Sequence, residues 1–64
     1  MKVNGEQLEL KTSCTILEFL NQRGCVLDRV AVELNGKIAP KAEYETTTLN
    51  DGDSIEIVSF IGGG

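Results

Sequence analysis

The sequence has no histidine and no tryptophan, only one proline and only two cysteines. Without histidine, the most frequent general base and a principal zinc ligand are both missing. Two cysteines alone cannot complete a four-ligand zinc site or bind an iron–sulfur cluster that needs four thiolates. The sequence also contains no CxxC, GxGxxG or phosphate-loop motif. We therefore expect no enzymatic active site, no metal site and no bound cofactor.

Positive charge is scarce as well, since six basic residues against ten acidic ones leave a net charge of −4. The basic residues are scattered singly, which argues against binding to nucleic acid phosphates and leaves a basic or mixed protein surface as the more natural partner. No apolar run is long enough to cross a bilayer, and Met1 leads directly into an alternating pattern. We expect a cytoplasmic protein that binds neither nucleic acid nor membranes.

The two cysteines, Cys14 and Cys25, flank the one predicted helix. Eleven residues along a helix rise roughly 16 Å, far beyond the roughly 7 Å that separates the Cα atoms of a disulfide at most. We expect two free thiols with a mainly structural role, as small buried apolar side chains.

The chain length limits where a functional site can lie. With 64 residues and 41% hydrophobic content, the chain encloses one compact core. A domain of this size buries only about 60% of the surface that its unfolded chain exposes, which leaves little room for a deep internal site. We expect the function to lie at an edge or at a terminus.

The first ten residues predict a β-hairpin. Asn4-Gly5 supplies the two positive-φ positions of a tight two-residue turn. Alternating residues precede this turn and follow it as far as Leu8 and Leu10. Two antiparallel strands are therefore expected to open the fold.

A helix is expected from about Ile16 to Arg23. Thr15 and Glu18 have the spacing of a capping box, and Gly24 stands where a left-handed residue ends many helices. The apolar residues between them recur at helical spacing, which is typical of a helix that packs one face on a core.

The remaining pattern predicts three more strands. Residues 29–34 alternate and stop at a second Asn-Gly pair, Asn35-Gly36. Residues 44–49 follow Pro40 and predict only a short, threonine-rich edge strand. Residues 54–61 have the β-branched content of a central strand.

This order of elements predicts an α+β fold of the ubiquitin-like β-grasp type. Such a fold has a mixed four- to five-stranded sheet covered on one face by one helix. We predict a β-grasp domain over residues 1–61 and a flexible glycine tail over residues 62–64. The residues predicted to face the helix are Val3, Leu8, Leu10, Val30, Val32, Leu34, Ile55 and Ile57.

The last predicted strand also presents apolar residues on its other side. Val58 and Phe60 have the opposite parity to Ile57, so they are expected on the open face, close to the start of the tail. Together with Ile61 they form a candidate docking site for a partner. Packing of Phe60 under a loop or at the strand edge is an equally good interpretation of the sequence.

The tail itself consists of Gly62, Gly63 and Gly64. Three glycines cannot build a core, but they stay mobile and pass through a channel too narrow for a Cβ atom. The α-carboxylate of Gly64 is an anion near neutral pH and resists nucleophiles until it is activated, for example as a mixed anhydride with AMP. A trimmed linker accounts for the glycines equally well, so the tail alone does not decide the function.

Residues 50–64, with the sequence NDGDSIEIVSFIGGG, resemble the end of the thiamine sulfur-carrier family, ThiS. The likeness extends over the whole chain, through the opening segment MKVNG, the helix segment TILEFL and the strand segment VAVELNG. The resemblance implies a β-grasp sulfur carrier for thiazole formation in thiamine biosynthesis, which is a co-substrate of other enzymes and not an enzyme.

The resemblance also implies partners and a reactive residue. A ThiF-type enzyme would consume ATP to adenylate Gly64, and a sulfurtransferase or cysteine desulfurase system would deliver sulfur to form a thiocarboxylate. That thiocarboxylate would donate its sulfur to a ThiG-type thiazole synthase. Members of the family commonly end in two glycines, which Gly63 and Gly64 match, while Gly62 is additional.

Two alternatives stay open. The small subunit of molybdopterin synthase shares the fold, the glycine end and the activation chemistry, but it is usually longer and often has prolines just before the tail. Here the only proline is Pro40. The other alternative is a non-catalytic ubiquitin-like interaction module, or a modifier that is joined to lysines.

Overall fold

The structure is a computed structural model that describes residues 1–60. The predictions for Ile61 and for the glycines at 62–64, including the domain boundary after residue 61, lie outside the described residues. Over residues 1–60, no helix is both long and apolar enough to span a membrane. The elements in chain order are β1 (Lys2–Val3), β2 (Glu6–Gln7), β3 (Cys14–Thr15), α1 (Ile16–Gln22), β4 (Val30–Leu34), β5 (Lys37–Ile38), β6 (Thr48–Leu49) and β7 (Ser54–Ser59), with single 3-10 turns at Leu27–Arg29 and Lys41–Glu43.

The opening hairpin forms as the Asn-Gly pair predicts. Strands β1 and β2 pair antiparallel, and the turn residues Asn4 and Gly5 have φ angles of 51° and 85°. These left-handed angles are the ones that a tight two-residue turn requires. The strand after the turn is shorter than the alternation predicts, and Leu8 is 39% exposed, so its predicted place in the core is wrong.

Helix α1 begins at the predicted capping box. The Thr15 Oγ1 accepts a hydrogen bond from the Glu18 N–H at 3.1 Å, and the Glu18 carboxylate accepts one from the Thr15 N–H at 2.8 Å. The helix ends one residue before the predicted Arg23, and Gly24 follows with a φ angle of 73°. Its buried residues are Ile16, Phe19 and Leu20.

A mixed five-stranded sheet with the order β2-β1-β7-β4-β5 forms the main layer. Strand β7 lies at its centre, parallel to β1 and antiparallel to β4, which confirms the prediction of a central final strand. The sequence did not predict β5, because Lys37 and Ile38 are too few to show an alternating pattern.

The weakly patterned segment at residues 44–49 forms less strand than predicted. Only its last two residues do so, as β6, and β6 pairs with β3 outside the main sheet, with Leu49 opposite Cys14. Tyr44 is 3% exposed, and its carbonyl accepts a hydrogen bond from the Leu17 N–H at 2.9 Å. The segment is therefore attached to the helix and completes the core from that side.

The core lies between α1 and one face of the main sheet. Of the residues predicted to face the helix, four are buried and three more are half-buried against the core; these are Val3, Val30, Val32 and Ile55, and then Leu10, Leu34 and Ile57. Tyr44 and Leu49 are also buried, although the sequence pattern around them is weak. One helix on one face of a mixed five-stranded sheet is the predicted β-grasp arrangement.

Asp51 connects β1 with the chain that follows β2. Its Oδ1 accepts hydrogen bonds from the Leu10 N–H at 3.1 Å and from the Met1 amino group at 3.2 Å. These contacts, the Leu10 bond first, lower the pKa of the Asp51 carboxyl. A carboxyl with a lowered folded-state pKa stabilises the fold above its unfolded pKa, about 3.9, and that contribution is lost as the pH falls through the folded pKa.

We expect Asp51→Asn to lower the melting temperature at neutral pH, and we expect this difference to shrink as the pH falls below about 4. Asp28→Asn is the control, because the pKa of Asp28 is also lowered but its partner is the exposed Lys41 at 2.8 Å. Exposed ion pairs contribute little to stability, so the control is expected to melt close to the parent. Thermal melts at a series of pH values check this, and equal losses in both variants would contradict it.

Candidate functional site

The face of the main sheet opposite α1 exposes apolar side chains of β7. Ile55 and Ile57 point toward the core, so alternation directs Val58 and Phe60 to the other side. Val58 is 51% exposed and Phe60 is 54% exposed. Both side chains are exposed, as the alternation of the strand predicts. With more than half of its surface exposed, Phe60 is not packed under a loop. Whether a partner docks on them stays a prediction.

Backbone pairing holds the chain in the sheet as far as the last described residue. Ser59 lies opposite Val30, and the Phe60 N–H donates to the Arg29 carbonyl at 2.7 Å. Phe60, the last described residue, therefore lies beside the start of β4. Ile61 and the glycines at 62–64 follow this point outside the described residues, so their roles stay predictions.

Two turn asparagines position β7 from either side, and sequence reasoning missed this role. The Asn4 Oδ1 accepts a hydrogen bond from the Ile57 N–H at 2.7 Å, just beyond the point where β1 ends. The Asn35 Oδ1 accepts one from the Ser54 N–H at 2.9 Å. The sequence shows both residues as turn formers, but these bonds depend on the register of strands that are distant in sequence.

The open face also has an acidic part. In the register of β4 and β7, Ala31 lies opposite Val58, and Glu33 lies opposite Glu56. Ala31 and Val58 are nearer to Phe60, the last described residue, and the two glutamates lie two residues further away from it. The face therefore combines an exposed apolar patch with two carboxylates on neighbouring strands.

Both cysteines are free thiols and half-buried. Burial, and then the nearby Glu18 carboxylate, raise the pKa of the Cys14 thiol, so it is protonated near neutral pH and a poor nucleophile. This environment fits the expected structural role. Within residues 1–60, no group of three or more cysteine, aspartate or glutamate side chains is arranged to hold a metal ion.

Known proteins share both the sequence pattern and this fold. The sequence model of the ThiS family matches residues 1–64. A crystal structure of the thiamine biosynthesis protein ThiS from Geobacter metallireducens matches with a TM-score of 0.83 and 33% identity, covering 98% of this chain and 96% of that one. The sulfur carrier protein ThiS of Bacillus subtilis is 37% identical over 65 residues, which cover 100% of this chain and 98% of that protein.

A longer protein also contains a region similar to this chain. A thiazole synthase of Paramagnetospirillum magneticum is 45% identical over 62 residues, which cover 97% of this chain. The chain spans only 19% of the length of that relative. The similarity is therefore confined to one part of the longer protein.

Proposed function

Because this chain belongs to the ThiS family, we propose that it is a sulfur carrier of thiamine biosynthesis and that the Gly64 carboxylate carries the sulfur. The observation that supports this most directly is the family match over residues 1–64. The protein is a co-substrate in this proposal, and the catalytic groups belong to its partner enzymes.

The proposed chemistry begins with a carboxylate that does not react by itself. A ThiF-type activating enzyme transfers AMP from ATP to the Gly64 carboxylate and releases pyrophosphate. The terminal sulfur of a protein persulfide, supplied by a sulfurtransferase or cysteine desulfurase system, then displaces AMP and forms an acyl disulfide. A thiol attacks the partner's sulfur of that S–S bond, which forms a disulfide with the partner and releases the thiocarboxylate. Gly62 and Gly63 have no Cβ atom, so the enzyme can bring its groups close to the reacting carbon.

The proposed acceptor of the sulfur is a ThiG-type thiazole synthase. The support for this acceptor is the thiazole synthase of Paramagnetospirillum magneticum, part of which is 45% identical to this chain. Joining a carrier domain to its acceptor raises the effective concentration of one for the other. One relative named above is a thiamine biosynthesis protein and another is a thiazole synthase, which favours thiazole synthase over molybdopterin synthase as the acceptor.

Mass spectrometry of the intact protein tests the proposal. After incubation with ATP, the activating enzyme and a sulfur source, the protein is expected to gain the mass difference between one sulfur and one oxygen atom. The same mixture without ATP is expected to leave the mass unchanged. Adducts on lysine side chains in place of that gain would indicate a modifier, and an unchanged mass in the complete mixture would indicate an interaction module.

Phe60→Asp is expected to raise the apparent KM for the carrier in the activation reaction about tenfold, because central aromatic side chains often dominate an interface. The side chain is 54% exposed, so the melting temperature is expected to change little. Steady-state kinetics with the carrier as the varied substrate measure the effect.

Leu8→Asp is the control for this variant, since Leu8 is 39% exposed and lines a cleft with Phe19 and Gln22 of α1, on the helix side of the sheet. Its N–H bonds to the Met1 carbonyl at the other end of the sheet, so by strand geometry it is roughly 20 Å or more from Phe60. An unchanged KM for Phe60→Asp, or the same increase in both variants, would remove Phe60 from the docking site.

A further inference from the structure

Two glutamates face each other across the open side of the sheet. Glu33 in β4 lies directly opposite Glu56 in β7. Directly opposite residues of antiparallel strands have Cβ atoms roughly 4.5–5.5 Å apart. Alternation directs both side chains away from the side of the buried Val32, so both carboxylates belong to the face that exposes Val58.

No ion pair within residues 1–60 neutralises these carboxylates. The ion pairs there join the Met1 amino group to Asp51 and Lys41 to Asp28. Like charges directly opposite each other destabilise a sheet, and Glu33 is also half-buried. A positive charge supplied by a partner would therefore be favourable beside this pair.

The apolar patch beside the pair indicates what kind of partner supplies that charge. A protein interface combines an apolar centre with a polar rim, and arginine is enriched in such interfaces. Val58 and Phe60 provide exposed apolar area next to Ala31, and the two glutamates border it. A nucleic acid is repelled by this charge, and a small cation makes no use of the apolar area. The occupant that fits both parts is a protein surface with a cationic side chain beside an apolar one.

We propose that the activating enzyme docks on the face formed by Ala31, Glu33, Glu56, Val58 and Phe60, and that an arginine or lysine of the enzyme lies between the two carboxylates. The inference rests on the proposed function and adds the chemistry by which the carrier is recognised. A planar guanidinium group can donate to both carboxylates at once. The contact determines how well the carrier binds and leaves the reaction at the tail unchanged.

The double variant Glu33→Gln/Glu56→Gln tests this proposal. We expect the apparent KM for the carrier to rise about tenfold at low ionic strength with kcat unchanged, and the difference to shrink at about 0.5 M salt because exposed charges are screened. We expect its melting temperature to rise by about 1–3 °C, because the repulsion between the strands is removed. If the two glutamates had only a structural role, their replacement would not raise KM and the melting temperature together.

The matched control is Glu43→Gln/Glu45→Gln, which removes the same amount of negative charge from exposed positions. These residues flank Tyr44, whose carbonyl bonds to the Leu17 N–H, so they lie on the helix side of the sheet. This control lowers the net negative charge by the same amount, so it can weaken only the long-range electrostatic steering of the two proteins. We therefore expect its KM to change less than about twofold. Equal increases in KM for both double variants would overturn the proposal.

Direct binding of each variant to the activating enzyme, measured by titration calorimetry, separates this inference from the proposed function. An unchanged dissociation constant for Glu33→Gln/Glu56→Gln would overturn the role of the acidic pair, even when the parent protein forms a thiocarboxylate normally. A parent protein that binds with the predicted salt dependence and gains no sulfur would support the docking face and contradict the carrier function. The two proposals therefore fail on different measurements.

Discussion

A chain that ends at Gly62 is expected to gain sulfur at least about 100-fold more slowly than the full chain. Removing Gly63 and Gly64 retracts the terminal carboxylate by up to roughly 7 Å, since an extended residue spans about 3.3–3.6 Å. A displacement of about 1 Å from the reactive geometry can already cost about 100-fold in rate. Mass spectrometry of the intact protein, taken at several times after mixing with ATP, the activating enzyme and a sulfur source, measures the loss.

Two further measurements on the shortened chain serve as controls. It keeps the core and the docking face, which lie within residues 1–60, so its melting temperature is expected to equal that of the full chain. It is also expected to inhibit loading of the full chain competitively, because it still binds the enzyme but reacts much more slowly. Loading of the shortened chain at the parental rate would contradict the role of Gly64. A shortened chain that no longer competes would show that docking depends on the tail itself.

Ile55→Ala is expected to remove much of the stability of the domain. The Ile55 side chain is 0% exposed and lies in the central strand β7. Truncating a buried isoleucine to alanine costs about 2–5 kcal/mol, whereas a domain of this length has roughly 3–10 kcal/mol in total. The expected fall in melting temperature is of the order of 10–20 °C.

Ile38→Ala is the matched control, because it makes the same truncation in a strand residue that is 77% exposed. Its effect is expected to stay within about 0.5 kcal/mol. Chemical denaturation of both variants, followed by circular dichroism, compares the two free energies of unfolding. Similar losses in both would mean that burial against the helix does not determine the stability of this sheet.

Local signals in the sequence predicted local structure well. The two Asn-Gly pairs predicted turns whose asparagines have positive φ angles, 51° at Asn4 and 52° at Asn35. Thr15 and Glu18 predicted the start of the helix through bonds between near neighbours. Such features depend on a few adjacent residues, so they can be recognised without knowing the fold.

Features that depend on distant pairing were predicted less well. Leu8 was expected in the core, but the strand after the turn ends before it, and the side chain stays 39% exposed. The sequence predicts a strand over residues 44–49, but only Thr48 and Leu49 form one, as β6. The rest of the segment packs beside the helix, where Tyr44 is buried. In both cases tertiary contacts outweighed a short alternating pattern.

The candidate site likewise has features that local sequence predicts and features that depend on distant pairing. The glycines at 62–64 stand out in the sequence, because a run of residues without side chains can have few roles. The chemistry proposed for the tail depends only on the terminal carboxylate of Gly64. The parity of β7 likewise determined that Val58 and Phe60 share a face. The opposition of Glu33 to Glu56 and the bond from Ile57 to Asn4 became visible only in the tertiary structure, because strand register is a relation between segments that no local pattern records.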